Sequence, residues 1–423
     1  YAVARRNVTL VMGLCAYLVG CEVLWRQVHT PLYYLFAPYA VTLLSIYAIV
    51  VIIGGRLGRD ARLAFLYFVL LVPAAVTTIR TAGGDARELI AFALSGPAAL
   101  AAFVAFTSQM TSDRESYRRV LWALFISAVG PLAIAVSDVG SALAETNSIK
   151  FSKQSNFITS GGFGPVQVSA VLGLGVLAGV ILVLLEEDRV SRWIAGVVAA
   201  VFAVQSLLTF SRGGMFSAAI GVGAMAIALA GNRRLRRRVF GIVVVALALG
   251  YFFVVPWLTD FTGGAFEKRF SDTQTARTEL AADDLAIFQG NVVLGVGPGM
   301  TKYQRLGYEV CKLRSDGCAD EASSHTEYTR MLSEHGIAGL MAIVVMAMLA
   351  VRSVRFAGRT RPFAVAFMAW AIAQMFYANL RVVAAPLPFG IPFLRLLAEA
   401  EKQPDEPPET SDESAPAAAP AGP

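Results

Sequence analysis

Histidine and cysteine are scarce: the chain carries three histidines and four cysteines in 423 residues. No second Cys or His pair accompanies the two loop cysteines, so a zinc centre is not expected, and no cofactor or metal is called for. Charge is scarce too. Only 16% of residues are charged while 56% are hydrophobic, which excludes the usual balance of a soluble domain. Alternating apolar and polar patterns are also missing, so a membrane β-barrel is the poorer reading.

What fills the chain is a series of continuously apolar runs of roughly 17 to 23 residues, each long enough to cross a hydrocarbon core as a helix. They fall at about residues 8–25, 31–53, 61–79, 88–108, 120–137, 165–185, 193–210, 214–230, 239–258, 327–351, 362–378 and 382–397. The pattern predicts an all-α integral membrane protein with about twelve transmembrane helices. The last run is the weakest, being short and interrupted by Pro386, Pro388 and Pro392. No cleavable signal sequence is evident, and the chain opens on Tyr1.

The net charge of +6 is unevenly spread. The tail from Glu399 onward is rich in acid, proline and alanine with no apolar periodicity, and is expected to be disordered. The remainder is correspondingly basic. Alternate loops carry arginine clusters, among them Arg56, Arg59 and Arg62, then Arg114, Arg118 and Arg119, and the "NRRLRRR" run. The opposite loops hold few cations, including Arg26, Arg80, Arg87, Arg212 and Arg381. By the positive-inside rule both termini are cytoplasmic. This distribution points to membrane lipids as partners and not to nucleic acid. Two polar loops then lie outside, residues 138–164 and the much longer 259–324, which is expected to contain short helices. Cys311 and Cys318 in the longer loop form a candidate disulfide if the compartment is oxidising.

Four stretches carry polar chemistry at this outer edge. In "SSHTEYTRMLSEHGIAGL" the Ser324-x-x-Glu327 spacing has the capping-box pattern, predicting Ser324 as the N-cap and His325 in the first turn of the next helix. A helix N-terminus disfavours an imidazolium and favours phosphate, so His325 is expected to be neutral and able to accept a proton. The alternative is a solvated histidine that merely helps start the helix. His335, before Gly336, reads as structural beside a helix break, and His29 has no companions.

In "LLTFSRGGMF", Arg212 either snorkels to headgroups or binds phosphate in bidentate fashion, with Gly213 and Gly214 letting an anion approach the backbone. "TARTELAADDLAIFQGNVVLGVGPGM" places Arg277 at the head of a helix. Its Gly295, Gly297 and Gly299 resemble a phosphate loop but lack the βαβ context and read better as a tight loop. Of Asp283 and Asp284, adjacent on a helix, one is expected to be solvated and the other partnered. In "SNFITSGGFGPVQVSA", Gln167 enters a span at the membrane edge, either in a plain loop-to-helix transition or in a binding role.

Taken in order, these stretches resemble the O-antigen ligase and polymerase superfamily of bacterial envelope glycosyltransferases. His325, then a spacer, then Gly336-Ile-Ala-Gly339 matches its histidine motif, "TFSRGG" looks like its Ser-Arg-Gly element, "NVVLGVGPGM" is similar to its Gly-x-Gly-x-Gly turn, and "GGFGPVQ" resembles an earlier motif. Thr326 stands where such proteins commonly carry Asn, Ser or Gln.

The resemblance implies an inner-membrane enzyme whose active site faces the periplasm. It would move a glycan from undecaprenyl diphosphate to a hydroxyl of lipid A–core, inverting and metal-independent. His325 would be the general base and Arg212 and Arg277 would bind the donor diphosphate, with Gln167, Glu327, Gly297 and Gly299 in possible supporting roles. A polymerase of the same superfamily, extending O-antigen, capsule or exopolysaccharide on the carrier, is the alternative. A membrane transporter is the reading from a different class, but mid-span polar residues are limited to scattered cases such as Glu22, Gln205 and Gln374. The expected organisation is transmembrane helices over 1–137, a small periplasmic loop over 138–164, central helices over 165–258, a large catalytic loop over 259–324, C-terminal helices over 325–398 and a cytoplasmic tail over 399–423.

Overall fold

Apolar sequence without alternation folds here as helix after helix. The computed structural model describes residues 7–146, 149–152, 154–229, 233–271, 276–305, 323–377, 380, 382–396 and 422. The helices are α1 (Val8–Gln27), α2 (Phe36–Ile52), α3 (Arg59–Leu71), α4 (Ala75–Ala82), α5 (Ala86–Thr107), α6 (Arg114–Ser127), α7 (Val129–Thr146), α8 (Pro165–Leu185), α9 (Arg189–Leu208), α10 (Arg212–Ala228), α11 (Arg233–Leu249), α12 (Val255–Phe261), α13 (Ala265–Ser271), α14 (Ala276–Gly290), α15 (Glu327–Phe356), α16 (Arg361–Gln374) and α17 (Pro386–Gly390). Strand structure among the described residues is a two-residue parallel pairing of β1 (Thr111–Ser112) with β2 (Arg395–Leu396).

The protein is an all-α membrane protein. Seven helical stretches of the described residues are long and apolar enough to cross a membrane, and α2 and α10 are shorter apolar helices. Several expected spans are segmented. The run over 61–79 breaks near Pro73 into α3 and α4, and that over 120–137 divides at Ala128 into α6 and α7. Helix α7 continues to Thr146, into the stretch read as the smaller polar loop.

Small residues bring the central helices together, as they do where lipid supplies no hydrophobic drive for helix association. Gly173 and Gly214 leave no room for a Cβ where α8 crosses α10, Gly175 accommodates the Phe202 ring of α9, and a Cβ on Gly20 of α1 would collide with Ser127 of α6. The core is completed by Phe103 and Phe106 of α5, Phe202 and Trp370, all fully buried. α11 shows the opposite character: Phe240, Leu247 and Leu249 are exposed, surface that a bilayer would cover.

The two ends of the bundle differ chemically. At one end Asp60, at the start of α3, pairs with Arg352 near the end of α15, and Glu186, just past α8, pairs with Arg118 of α6. The other end gathers the C-terminus of α1 and the N-termini of α8, α10 and α15, and with them the residues singled out above.

Candidate active site

Arg212 is the first residue of α10, and the preceding turn is rigidly built. Phe210 adopts φ 57°, a left-handed backbone that side-chain-bearing residues seldom take, and its ring is fully buried against Phe151 and Phe266. Arg269 of α13 donates to the Phe210 carbonyl at 3.1 Å. The Ser169 hydroxyl of α8 contacts the Ser206 hydroxyl at 3.0 Å, the Ser211 carbonyl at 2.9 Å and the Gly214 amide at 3.1 Å. The glycine pair is therefore not open to an anion, as the sequence had suggested. Gly213 lies under the Tyr377 ring, Gly214 is pressed on Ser169, and both are buried.

Arg277, at the head of α14, comes to the same place. Its guanidinium carbon sits 4.4 Å from the Tyr377 ring centre, and the side chain hydrogen-bonds the Tyr377 hydroxyl. Burial weakens its hold on the proton, an effect opposed by Tyr377 and reinforced by the positive charge of Arg212. The last contribution shows that the two cations feel each other. Two guanidiniums within electrostatic reach of each other, each at the N-terminal end of its own helix, form an environment that an oxyanion stabilises.

His325 belongs to a different part of the chain, and α14 ties it in. Asp284 lies two turns beyond Arg277 on α14 and is fully buried. One carboxylate oxygen accepts from Arg305 at 2.8 Å and from the Ser324 hydroxyl at 3.1 Å; the other accepts from the Thr329 hydroxyl at 2.8 Å. Asp284 is the partnered acid of the pair, and Asp283 is half-buried.

The network changes the capping prediction. Thr326, not Ser324, is the N-cap of α15, accepting from the Thr329 amide at 3.2 Å, because the Ser324 hydroxyl is taken by Asp284. His325 thus precedes the helix and does not occupy its first turn. Its Nδ1 lies 2.8 Å from the Ser323 carbonyl oxygen. A carbonyl only accepts, so Nδ1 carries a hydrogen, which in a neutral ring leaves the lone pair to Nε2. Tyr328, one turn on, packs its ring 4.8 Å from Phe376 and donates to the Ile372 carbonyl at 3.1 Å, which brings the His325 segment against the strip that ends in Tyr377.

The glycine-rich loop serves the helix. α15 is interrupted at Gly336, whose φ is 59°. The break strands carbonyls that a continuous helix would satisfy. Val296 donates to the Ser333 carbonyl at 2.9 Å and Gly297 to the Glu334 carbonyl at 3.0 Å, while Ile337 donates back to Val292 at 2.7 Å. A Cβ at Gly295 would collide with Glu334, one at Gly297 with Thr78, and one at Gly299 would crowd Leu89. These glycines splice a loop into a helix, and two of their amides are not available to cradle phosphate. His335 is buried at the break and hydrogen-bonds the Leu71 backbone, a structural position.

Glu327 is fully buried and ion-paired with Arg330, and it accepts the Leu380 amide at 3.0 Å. It fixes the segment that follows Tyr377. Gln167 lies in the first turn of α8, folded back beside Gly164 and half-buried. The mid-span polar residues also have local duties: Gln205 donates to Thr159, Gln374 to Gly213, and Glu22 accepts from Val383. Cys311 and Cys318 lie outside the described residues. Tyr377 and Arg305 were not singled out in the sequence. The first sits in an otherwise ordinary "MFYANL", and the second is recognisable only through its buried partner.

A search of curated proteins finds no match for the chain. Residues 197–344 match the family model described as O-antigen ligase (Wzy_C). That stretch runs from within α9 through the Ser-Arg-Gly turn, Arg277, Asp284 and His325 to beyond the break at Gly336. This match, over about a third of the chain, supports membership of the O-antigen ligase superfamily.

Proposed function

We propose that the protein is a glycosyltransferase that moves a glycan from undecaprenyl diphosphate to an acceptor hydroxyl, with lipid A–core as the acceptor, at the periplasmic face of the bacterial inner membrane. The single observation that supports it best is that Arg277, stacked on Tyr377, lies within electrostatic reach of Arg212, with the Arg277 helix tied through Asp284 to the residues on either side of His325. In this reading the two guanidiniums hold the diphosphate and neutralise the charge it gains as it leaves. His325 Nε2 takes the proton of the acceptor hydroxyl while its oxygen bonds to the anomeric carbon. The carbon–oxygen bond to the diphosphate breaks, and the carrier departs with the electron pair. Direct displacement inverts the anomeric centre. The arginine-rich end of the bundle is cytoplasmic by the charge rule, which turns the site to the periplasm.

Reconstitution in liposomes with carrier-linked oligosaccharide tests this, offering either lipid A–core or a second carrier-linked repeat as acceptor. Transfer to lipid A–core supports the ligase. Transfer only between carriers overturns it in favour of a polymerase, and no transfer to either overturns the enzyme reading.

A further inference from the structure

A second cavity at the same end of the bundle lies away from the arginine pair. It measures about 390 Å³ and is walled by Glu22 and Arg26 of α1, by His29, Tyr33 and Tyr34 of the following turn, and by Phe163 just before α8. The Arg26 side chain is only 7% exposed. It donates to Glu22 at 2.5 Å and to the Tyr34 carbonyl at 3.0 Å, yet its Nε and Nη1 are buried with no hydrogen bond. Its guanidinium carbon lies 3.6 Å from the Tyr34 ring centre and 5.6 Å from that of Phe163. Buried guanidinium donors without acceptors are uncommon and mark a place where an acceptor is expected. His29 holds φ 50° at the mouth, backbone strain of the kind that accumulates at binding sites.

We infer that this cavity is a glycosyl-binding subsite. Three features select a sugar over a lipid headgroup. Glu22 cancels the charge of Arg26, so the wall does not select an anion. The pair instead offers donors and acceptors side by side, which is what a polyhydroxylated ring requires. The tyrosine and phenylalanine rings supply flat apolar faces for the C–H side of a pyranose, and the volume lies within the range of small-molecule sites.

The cavity is linked to the arginine site through one short segment of chain. Glu22 accepts the Val383 amide at 2.7 Å, and Glu327 accepts the Leu380 amide, both in the short segment that follows Tyr377. A sugar bound beside Arg26 therefore belongs to one of the two reacting glycans. This inference rests on the proposed glycosyl transfer for its role, but not for its binding.

The test uses the full chain in phosphatidylethanolamine and phosphatidylglycerol liposomes, titrating carrier-linked oligosaccharide and lipid A–core separately. Tyr34→Ala and Phe163→Ala should each raise KM for one of the two substrates about tenfold with little change in kcat, while Tyr34→Phe keeps the ring and the wild-type values. The substrate affected identifies which glycan occupies the cavity. Phe163→Leu replaces Phe163→Ala if the latter is not monodisperse on size exclusion. Saturation-transfer NMR with delipidated core oligosaccharide and with the released repeat-unit oligosaccharide provides a readout without turnover. Unchanged KM for both substrates, with no oligosaccharide signal lost in the variants, would overturn the subsite and leave an aromatic girdle at the membrane surface. A wild-type protein that binds oligosaccharide through Phe163 yet transfers none would retain the subsite and sink the transferase reading instead.

Discussion

Asp284 accepts the hydroxyl of Ser324 at 3.1 Å across 40 residues of chain, and Ser324 is the residue immediately before His325. The same carboxylate holds Thr329 and Arg305. One buried acid thus joins the helix that begins near Arg277 to the turn that presents the imidazole. Neither group is placed by its own local sequence alone.

Replacing this acid should separate positioning from folding. Asp284→Asn leaves Arg305 buried without its counter-charge, a change that costs about 3–5 kcal/mol in comparable buried pairs. Paired with Arg305→Met, which removes the stranded cation, part of the lost melting temperature should return. The kcat of glycan transfer should stay low in both, since Asn keeps only one acceptor oxygen and Ser324 and Thr329, which use separate carboxylate oxygens, cannot both keep their bonds. Thermal unfolding in detergent and steady-state transfer assays measure the two effects.

Arg277 is expected to act as a shaped cation and not as a point charge. Arg277→Lys keeps the charge but loses the planar contact with Tyr377, and should raise KM for the carrier-linked donor about tenfold. Arg277→Gln should lower kcat/KM by roughly 10²-fold or more, the usual scale for losing one donor to a developing oxyanion. If Lys and Gln behave alike, the geometry is irrelevant and the assignment of Arg277 is wrong.

His325→Gln should reduce kcat by about 10²–10⁴-fold, the range for a general base, with KM for the donor little changed. The sign of the pH effect follows from the role. A base works when deprotonated, so the wild-type rate rises with pH as the imidazole loses its proton and then levels. That rising limb should be missing from the variant's profile.

Gly214→Ala tests whether the start of α10 is set by close packing. The added methyl would collide with the Ser169 backbone and force α10 away from α8, moving Arg212. A loss of about 1–3 kcal/mol is expected from overpacking, together with reduced transfer. Gly223→Ala, on the same helix with open space around it, should change neither.

Much of the fold was legible because hydropathy reports burial in lipid directly. Arg212, Arg277 and His325 stood out because cations and imidazoles are rare in such sequence. What sequence could not convey was competition for partners. Both Ser324 and Thr326 can cap a helix, and only the presence of Asp284, distant in the chain, decides that Ser324 does not. The "GVGPG" loop read as a tight loop, but glycine marks close approach without saying to what. Here the approaching partner is the Ser333–Glu334 backbone and Thr78. Tyr377, on which Arg277 stacks and under which Gly213 lies, had no signal of its own.

The interruption at Gly336 also predicts how this end of the molecule opens. The amides of Val296 and Gly297 are protected only while the carbonyls of Ser333 and Glu334 remain in place, and the Ile337 amide only while Val292 does. In hydrogen exchange these three amides should therefore open together, as one cooperative unit assembled from two distant stretches of chain. The His325 turn, which leads into the short first half of α15 before the break, would inherit its rigidity from that unit more than from the long apolar half below it.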